Sequence, residues 1–522
     1  MKFIKGHNRT QINLFPVSLE HAIDEDNEVR IIDLFVDSVS LEDYGFKIEY
    51  VENGRPAYHP SDLLKLYIYG YLNKIRSSRD LEKECKRNIE MIWLIKALKP
   101  DHNTISNFRM DNPKAIKKVF RATVQIAKHF DLIGGKLIAG DSSKFRAQNS
   151  KKNNFNQKKI DHHIAYIENK IDEYNKQLSE ADEDKKEQIR KEIDNQNQRK
   201  GKYNQLEKQL KESGESQVST SDPESRQMIV RNNITEVAYN VQTTVDAENN
   251  IPIDYKVTNT NDSKAMGNML QRAKSILRTN EFTALYDKGY HTGSEFEAAD
   301  NLDIDVLVAI PTVAANAPNP EYNVEHFTYD KESDCYICPQ GKEMTTTGKW
   351  HLAKTYRFKR YTTKACKTCP VKPECSKAKY GKAIQRSEYT ELINQNKERI
   401  ENNRNYYRRR QAIVEHPYGT IKRQWGFSYI STKKGKERAS SDVGFMFIAY
   451  NLRRIMNIVG KNGLKKYLEV LILSVSRIYH PIRLKISLLK AINYLHKILT
   501  SYFEGCLNRL KFDQNLLSTG GF

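Results

Sequence analysis

The chain has 522 residues, more than one ordinary hydrophobic core accommodates, so two or more folding units are expected. Lys and Arg number 85 against 65 Asp and Glu, a formal net charge of +20, which favours a polyanionic partner because each neutralised phosphate releases a counterion; a generally basic background is the competing explanation, since net charge reports association and not fold. The opening MKFIKGHNRTQINLF lacks the apolar stretch of a signal peptide, and runs such as VLIL at 470–473 are too short to cross a bilayer, so composition speaks against a membrane protein and for a soluble, cytoplasmic one.

Residues 59–130 read as helices. SDLLKLYIYGYLNKI keeps an apolar face, NIEMIWLIKAL follows, Asn103 or Thr104 can cap the next helix, and NPKAIKKVFRATVQIAKHF closes the set. We take 1–130 as an all-α N-terminal domain. Its basic residues, Arg76 and Arg109 among them, either line DNA phosphates or form a solvated face. At Lys136 the pattern changes: KLIAGDSSKFRAQ is an apolar strand that meets an acid and continues in alternation. A polar stretch then carries a heptad, Ile160, Ile164, Ile167, Ile171, Tyr174 and Leu178, which resumes after SEADED at Ile189 and Ile193. This predicts an antiparallel helical hairpin inserted at 151–215, with a single long helix as the alternative.

VAYNVQTTVD and IPIDYKVT suit half-exposed strands joined at AENN. SKAMGNMLQRAKSIL reads as a helix, FTALYD as a strand, GSEFEAADNL as a helix and DVLVAIP as a strand. Strands in antiparallel succession, then strand and helix in alternation, is an order compatible with a ribonuclease H-like α/β fold, here over 131–460. Loops, short strands and cysteines interrupt it at 312–385, after which TELINQNKERIENNRNYYRRRQAIVEH resumes as a strongly basic helix. The tail, 461–522, repeats Leu484, Leu488, Ile492, Leu495 and Leu499 at the spacing of an amphipathic helix that packs on the protein or on a second copy.

Asp141 follows LIAG at the end of one predicted strand and Asp287 follows TALY at the end of another, so neighbouring strands present both acids at one sheet edge. Carboxylates suit hard divalent cations, and a pair of Mg²⁺ ions serves phosphodiester transfer by neutralising the attacking and leaving oxygens. Taken singly, an Asp that closes a strand is usually a turn or cap residue. Five of the seven cysteines crowd between Cys335 and Cys375. The pairs Cys335/Cys338 and Cys366/Cys369 have the spacing of two knuckles of a structural zinc ribbon, with Cys375 as an alternative Zn²⁺ ligand and free buried thiols as the competing explanation.

GDSSKFRAQNS, YNVQTTVD, YDKGYHTG and RRRQAIVEHPYGTIKRQWG stand in the order seen in transposases of the insertion-sequence 4-like superfamily, and the sequence most resembles its 1182-type group. AYHPSDLLKLYIYGYLNKIRSSRDLEKEC and WLIKALKPDHNTISNFR resemble the helical domain that precedes the catalytic fold in that group. The resemblance implies a DDE transposase that nicks a transposon end with Mg²⁺ or Mn²⁺ and passes the freed 3′-hydroxyl to DNA. It makes Asp141, Asp287 and Glu415 the metal-holding acids, and Lys422 the lysine that holds a phosphate at the cut end. Glu415 and Lys422 share a face if the helix runs unbroken, but Pro417 biases His416 away from helical angles, which ends one helix at Glu415 and carries Lys422 on the next.

The superfamily's Tyr and Arg belong seven and four residues before the glutamate, where Arg408 and Gln411 stand. Tyr407 and Arg410, each one residue further away, are carried over as DNA contacts, with a solvated basic face as the alternative for 404–410. Trp425 belongs either on a displaced base or in the core. The implied partners are double-stranded DNA, as terminal inverted repeats and as target, and a second copy of the chain on paired ends. A catalytically inactive, transposase-derived DNA-binding protein is the alternative; the presence of all three acids and Lys422 argues against it. A zinc-ribbon binder without a recombinase core leaves the two strand-end aspartates unexplained.

Overall fold

The computed structural model describes residues 18–48, 56–231, 234–312, 317–432 and 434–473; the predicted amphipathic repeat from Leu484 to Leu499 lies outside them. At the centre is a mixed sheet of β1 (Leu137–Arg146), β2 (Arg226–Arg231), β3 (Ile234–Asp246), β4 (Ile251–Thr258), β5 (Thr283–Tyr286) and β6 (Asp305–Val308). β1 pairs antiparallel along one edge of β3, with Asp141 opposite Thr243, while β2 and β4 share the other edge. Beyond β1, β5 and then β6 add in parallel.

From Val237 to Asp246 every residue of β3 is buried, so the half-exposed reading of VAYNVQTTVD fails. Helices cover both faces, and most of the polar side chains find partners inside: Asn240 and Gln242 donate to Asp262, and Thr243 Oγ1 lies 2.6 Å from Tyr418 Oη, while Asn240 Oδ1 and Thr244 Oγ1 are left without one among the described residues.

In the N-terminal region α1 (Pro60–Leu72) starts with proline in its first turn, behind the cap residue His59. It is apolar nearly all round because it is enclosed; even Lys65 is buried, bridging Asp33 at 2.6 Å and Asp37 at 2.7 Å. A longer helix, α2 (Pro113–His129), leads into β1. The polar stretch that follows folds as α3 (Gln157–Glu180) and α4 (Glu183–Ser213), whose base is pinned by a short ribbon pairing Asn154 with Ser219 and Phe155 with Val218.

After β6 comes a second sheet, in which β7 (Thr328–Asp330), β8 (Cys335–Ile337) and β9 (Glu343–Thr346) are followed by β10 (His351–Leu352), β11 (Arg357–Thr362) and β12 (Ile384–Ser387). Its small core is Phe327, Tyr336, Met344, Tyr361 and Ile384. Then α5 (Thr390–Asn402) and α6 (Arg404–Tyr418) cross one face of the main sheet, burying Ile413 and Val414 against Leu137, Ala139, Val245 and Leu285. Asn396 of α5 closes the outer edge of β6, donating to the Val308 carbonyl and accepting from its N–H, both at 2.9 Å.

The opposite face carries α2 together with α7 (Lys436–Val459), where Tyr255 of β4 meets Phe120 and Phe447 at ring separations of 5.0 and 5.5 Å. α1 also packs on α7, Tyr67 stacking on Phe445 at 4.8 Å, so one hydrophobic core runs from the N-terminal helices through the sheet. Residues 461–473 are helical and fold back, with Tyr467 stacked on His129 at 4.0 Å. No described helix is long and apolar enough to cross a membrane.

Two residues expected at a DNA face are inside this packing. Arg109 is 4% exposed; it donates to Tyr71 Oη at 2.8 Å and to the Arg76 carbonyl at 3.1 Å, and pairs with the fully buried Asp442 at 3.5 Å. Arg76 is 6% exposed, lies over the rings of Phe427 and Tyr429, and donates to the Tyr429 carbonyl. Both guanidiniums are taken up in holding α1 and its neighbours to α7, which removes them from any phosphate contact. Trp425 likewise packs on the core, at 5.8 Å from Phe427 and 6.5 Å from Tyr450.

Candidate active site

Strand alternation puts Asp141 in phase with Leu137 and Ala139, on the face that α6 covers. In the parallel pairing of β1 and β5, Ala139 stands beside Leu285, so Asp141 and Asp287, each two residues further on, come side by side where β5 ends; β1 does not end at Asp141 as expected but runs on to Arg146, because its pairing with β3 continues that far. The approach of β5 depends on the residue before the acid: a Cβ on Gly140 would lie 2.0 Å from the Tyr286 ring.

Ser142 N–H donates to Asp141 Oδ1 at 2.8 Å, and the Arg410 guanidinium stands 3.8 Å from Oδ2. Burial nevertheless dominates; together with the charges of Asp287 and Asp262 it outweighs Arg410 and pushes the Asp141 carboxyl up to about 6. Asp287 accepts from Gly289 N–H at 2.9 Å, capping the turn that follows. Asp246 also closes a strand, yet its oxygens are consumed by the N–H groups of Gly134, Gly135 and Glu248 at 2.9 to 3.0 Å, the turn role that most such aspartates have.

The basic helix brings the third acid. α6 does not end at Glu415: it runs through Pro417 to Tyr418 and widens into a π-helical turn, Gly419–Gln424, that carries Lys422. The missing proline N–H falls near the helix end, where the chain changes its hydrogen-bonding pattern, and tertiary anchors hold the rod in place. Tyr407 Oη donates to the Tyr286 carbonyl at 2.9 Å, and Tyr418 Oη donates to the Val241 carbonyl at 2.8 Å.

Hence Tyr407 and Arg410 face the aspartates, whereas Arg408 is exposed and Gln411 donates to Glu415 Oε1 at 2.9 Å. Lys422 reaches β1 itself, donating to Ser143 Oγ and to the Lys144 carbonyl, both at 2.9 Å. Asp141, Lys144, Glu415, Tyr418 and Lys422 line one cavity of about 490 Å³. A separate cavity at the opposite end of the parallel strands, beside Lys136, Thr283 and Asp305, also carries acids, but neither Asp141, Asp287 nor Glu415 reaches it.

A fourth acid was not legible in the sequence. Asp262 accepts from Asn240 Nδ2 at 2.7 Å, Gln242 Nε2 at 2.6 Å and Lys144 Nζ at 3.2 Å, and Gln242 in turn accepts from Tyr290 Oη. Burial raises its pKa, but Lys144, Ser142 and the two amides more than offset this and hold the carboxyl below its ordinary value. Asp262 therefore ties Lys144 to Ser142, on the face of β1 opposite Asp141. The sequence signal was faint: two amides on YNVQTTVD and an aspartate in a loop.

The aspartate pair offers hard oxygens of the kind a divalent cation takes, and Glu415 of α6 lines the cavity that Asp141 lines, a cavity that Asp287 does not border. Among the described residues, however, no three His, Cys, Asp or Glu side chains are gathered closely enough to hold a metal ion. The cysteines are distributed unevenly. Cys338 and Cys375 border the small core of the second sheet, and Cys366 sits against Gly381, whereas Cys335 is buried elsewhere with Sγ 3.1 Å from Ser333 Oγ. The predicted quartet containing Cys335 is thus not assembled.

Residues 17–111 match a family described as a transposase domain (DUF772), and residues 337–456 match one described as a transposase DDE domain. The second match spans Glu415, Lys422 and most of α7, while Asp141 and Asp287 lie outside both. Both matches are to transposase domains, and together they indicate a DDE-type transposase family. The chain is a DNA transposase, an enzyme of the DDE type. No curated protein matches it. Among solved structures it is similar to a piggyBac transposase synaptic complex with hairpin DNA, at 10% identity and a TM-score of 0.28, over 87% of this chain and 81% of that one.

Proposed function

We propose that this transposase cuts and joins DNA at the ends of an insertion sequence, with Asp141 and Asp287 as the pair that holds divalent ions, Glu415 joining them from α6, and Lys422 holding a phosphate of the cut strand. The observation that carries the reading is the two aspartates side by side on neighbouring parallel strands, Asp141 within β1 and Asp287 just past the end of β5, one of them with its carboxyl pushed up to about 6. A buried carboxylate of that kind is relieved by a cation. When bound, Mg²⁺ or Mn²⁺ supplies charge neutralisation at the attacking and leaving oxygens of an in-line displacement. Arg410 and Lys422 then bind and orient the phosphodiester, Asp262 keeps Lys144 at the lip of the cavity, and Tyr407 sets the position of α6 against β5.

The strand order β4–β3–β1–β5–β6, antiparallel on one side of β1 and parallel on the other, supports a ribonuclease H-like core over 131–460. The ordered motifs from GDSSKFRAQNS to RRRQAIVEHPYGTIKRQWG support membership of the insertion-sequence 4-like superfamily, in its 1182-type group. Residues 1–130 would read the terminal inverted repeats, and a homodimer would hold paired ends. For the second sheet we propose a structural Zn²⁺ on Cys338, Cys366, Cys369 and Cys375, since Cys335 stands apart and Cys375 shares the small core with Cys338; the four thiols are not gathered to ligand distance here and would close up on the metal.

The test is Mg²⁺-dependent nicking of a duplex carrying the element's own ends. Asp287→Ala is expected to abolish nicking while retaining binding; equal nicking by parent and variant removes Asp287 from the site. Metal analysis of purified protein decides the zinc ligands, with Cys375→Ser expected to lose zinc and Cys335→Ser to keep it.

A further inference from the structure

Half of the chain's charge excess sits in a short stretch far from the catalytic cavity in sequence. Residues 342–382 hold 12 Lys and Arg against two Glu, a net +10 within a chain of +20. The same stretch exposes apolar surface that a solvated charged face has no use for: Trp350 is 48% exposed, Tyr380 72% and Leu352 83%.

The β10–β11 hairpin organises these groups. His351 pairs with Phe358 and Leu352 with Arg357, and Ala353 N–H donates to the Tyr356 carbonyl at 2.8 Å, leaving Lys354 and Thr355 at the tip of a two-residue turn. Arg357 is spent on Glu388 and Lys359 on Asp334, and both cations also stand over the Trp350 ring, at 5.7 and 5.5 Å, which keeps that ring upright at the base of the tip. By contrast Lys349, Lys354 and Arg360 make no ion pair among the described residues. β12 flanks the other edge of β11 from Phe358 to Tyr361, and Glu388 N–H donates to the Arg357 carbonyl at 3.0 Å, so the turn at 353–356 is what stands clear of the sheet, with apolar side chains at its base and unpaired cations beside them.

We propose that this hairpin is a second DNA-gripping surface, separate from the catalytic cavity, which inserts its tip into a groove of duplex DNA while Lys349, Lys354 and Arg360 take phosphates. The major groove admits a protruding turn of this width, and an apolar side chain such as Leu352 meets thymine methyls there. A protein partner is disfavoured, because the cores of protein interfaces are depleted in lysine and this surface is dominated by it.

The full-length protein is tested on a duplex carrying an element end and its flank, by fluorescence anisotropy across a NaCl series. Lys349→Ala, Lys354→Ala and Arg360→Ala combined are expected to weaken binding and to flatten the slope of log K against log salt by about 2 to 3, since each phosphate left unneutralised removes roughly 0.9. Leu352→Ala is expected to weaken binding with the slope unchanged. Turnover at saturating DNA stays at the parent value in both, with KM raised. An unchanged affinity and slope in the folded triple variant overturns the proposal. So does loss of self-association in sedimentation, or of binding to anionic lipid vesicles, with DNA binding intact.

Discussion

A carboxyl whose pKa is raised by burial is a standing cost to the fold above that pKa. Asp141 is pushed up to about 6, with a quarter of its side chain still in contact with solvent. The sign follows directly: between the unfolded value and about 6 the native state binds more protons than the unfolded one, so stability falls as pH rises through that window and the full cost is present above it. Asp141→Asn keeps an acceptor for Ser142 N–H and removes the charge. Thermal denaturation in the presence of a chelator should show the variant more stable at neutral pH by roughly 1–3 kcal/mol, with the gain vanishing below about pH 4; an equal or lower Tm at neutral pH contradicts this account. Asp262 acts on the same group through space. Its negative charge helps to raise Asp141, so Asp262→Asn should lower kcat by loosening Lys144 and also move the acid limb of the pH–rate profile downward. A profile that falls in height without moving would make Asp262 a purely structural residue.

At the scale of elements, what could be read from sequence divides along physical lines. An apolar run that meets an acid, such as LIAGD or TALYD, marks a strand because its interior face is continuous, but not where the strand stops: TALY does end before Asp287, whereas β1 continues past Asp141 to Arg146 because β3 pairs with it along that length. YNVQTTVD misled because buried amides and hydroxyls that hydrogen-bond to one another look in sequence like residues meeting water. Pro417 misled in the other sense: a local rule that stops a helix gave way to Tyr407 and Tyr418, which fasten the rod to β5 and β3. The fourth acid escaped because a loop aspartate has no periodic context, and the offset of Tyr407 and Arg410 was visible only as a mismatch. The α3–α4 hairpin supplies a further prediction. Its ends meet where Phe155 pairs with Val218, and its own small core of Phe155, Ile160 and Leu210 is separate from the main one. Replacing 157–216 by a two-residue turn should therefore leave the main thermal transition within a few degrees of the parent, a shift of about 1 kcal/mol or less. A collapse of that transition would show the hairpin to be part of the catalytic fold.

For the whole molecule, the important contacts join distant parts of the chain. Asp442 of α7 is fully buried, and the neighbouring guanidiniums of Arg76 and Arg109, with Tyr71, overcome burial to hold its carboxyl below the ordinary range. Removing one partner of such a pair strands the other, so Arg109→Met should destabilise the protein by about 3–5 kcal/mol in denaturant unfolding while leaving the salt dependence of DNA binding by the folded protein unchanged. A variant of normal stability that binds DNA weakly would return Arg109 to a DNA-facing role.

That arrangement also dictates when the enzyme comes into being. Tyr71 and Asp442 are 371 residues apart, and at ordinary translation rates the ribosome takes on the order of 20–70 s to supply the second after the first. Until then the apolar sides of α1 and α2 have no α7 to cover them, so the chain folds as a unit only once α7 has been made. A message cut short before α7 yields no partly active transposase, only an aggregation-prone fragment.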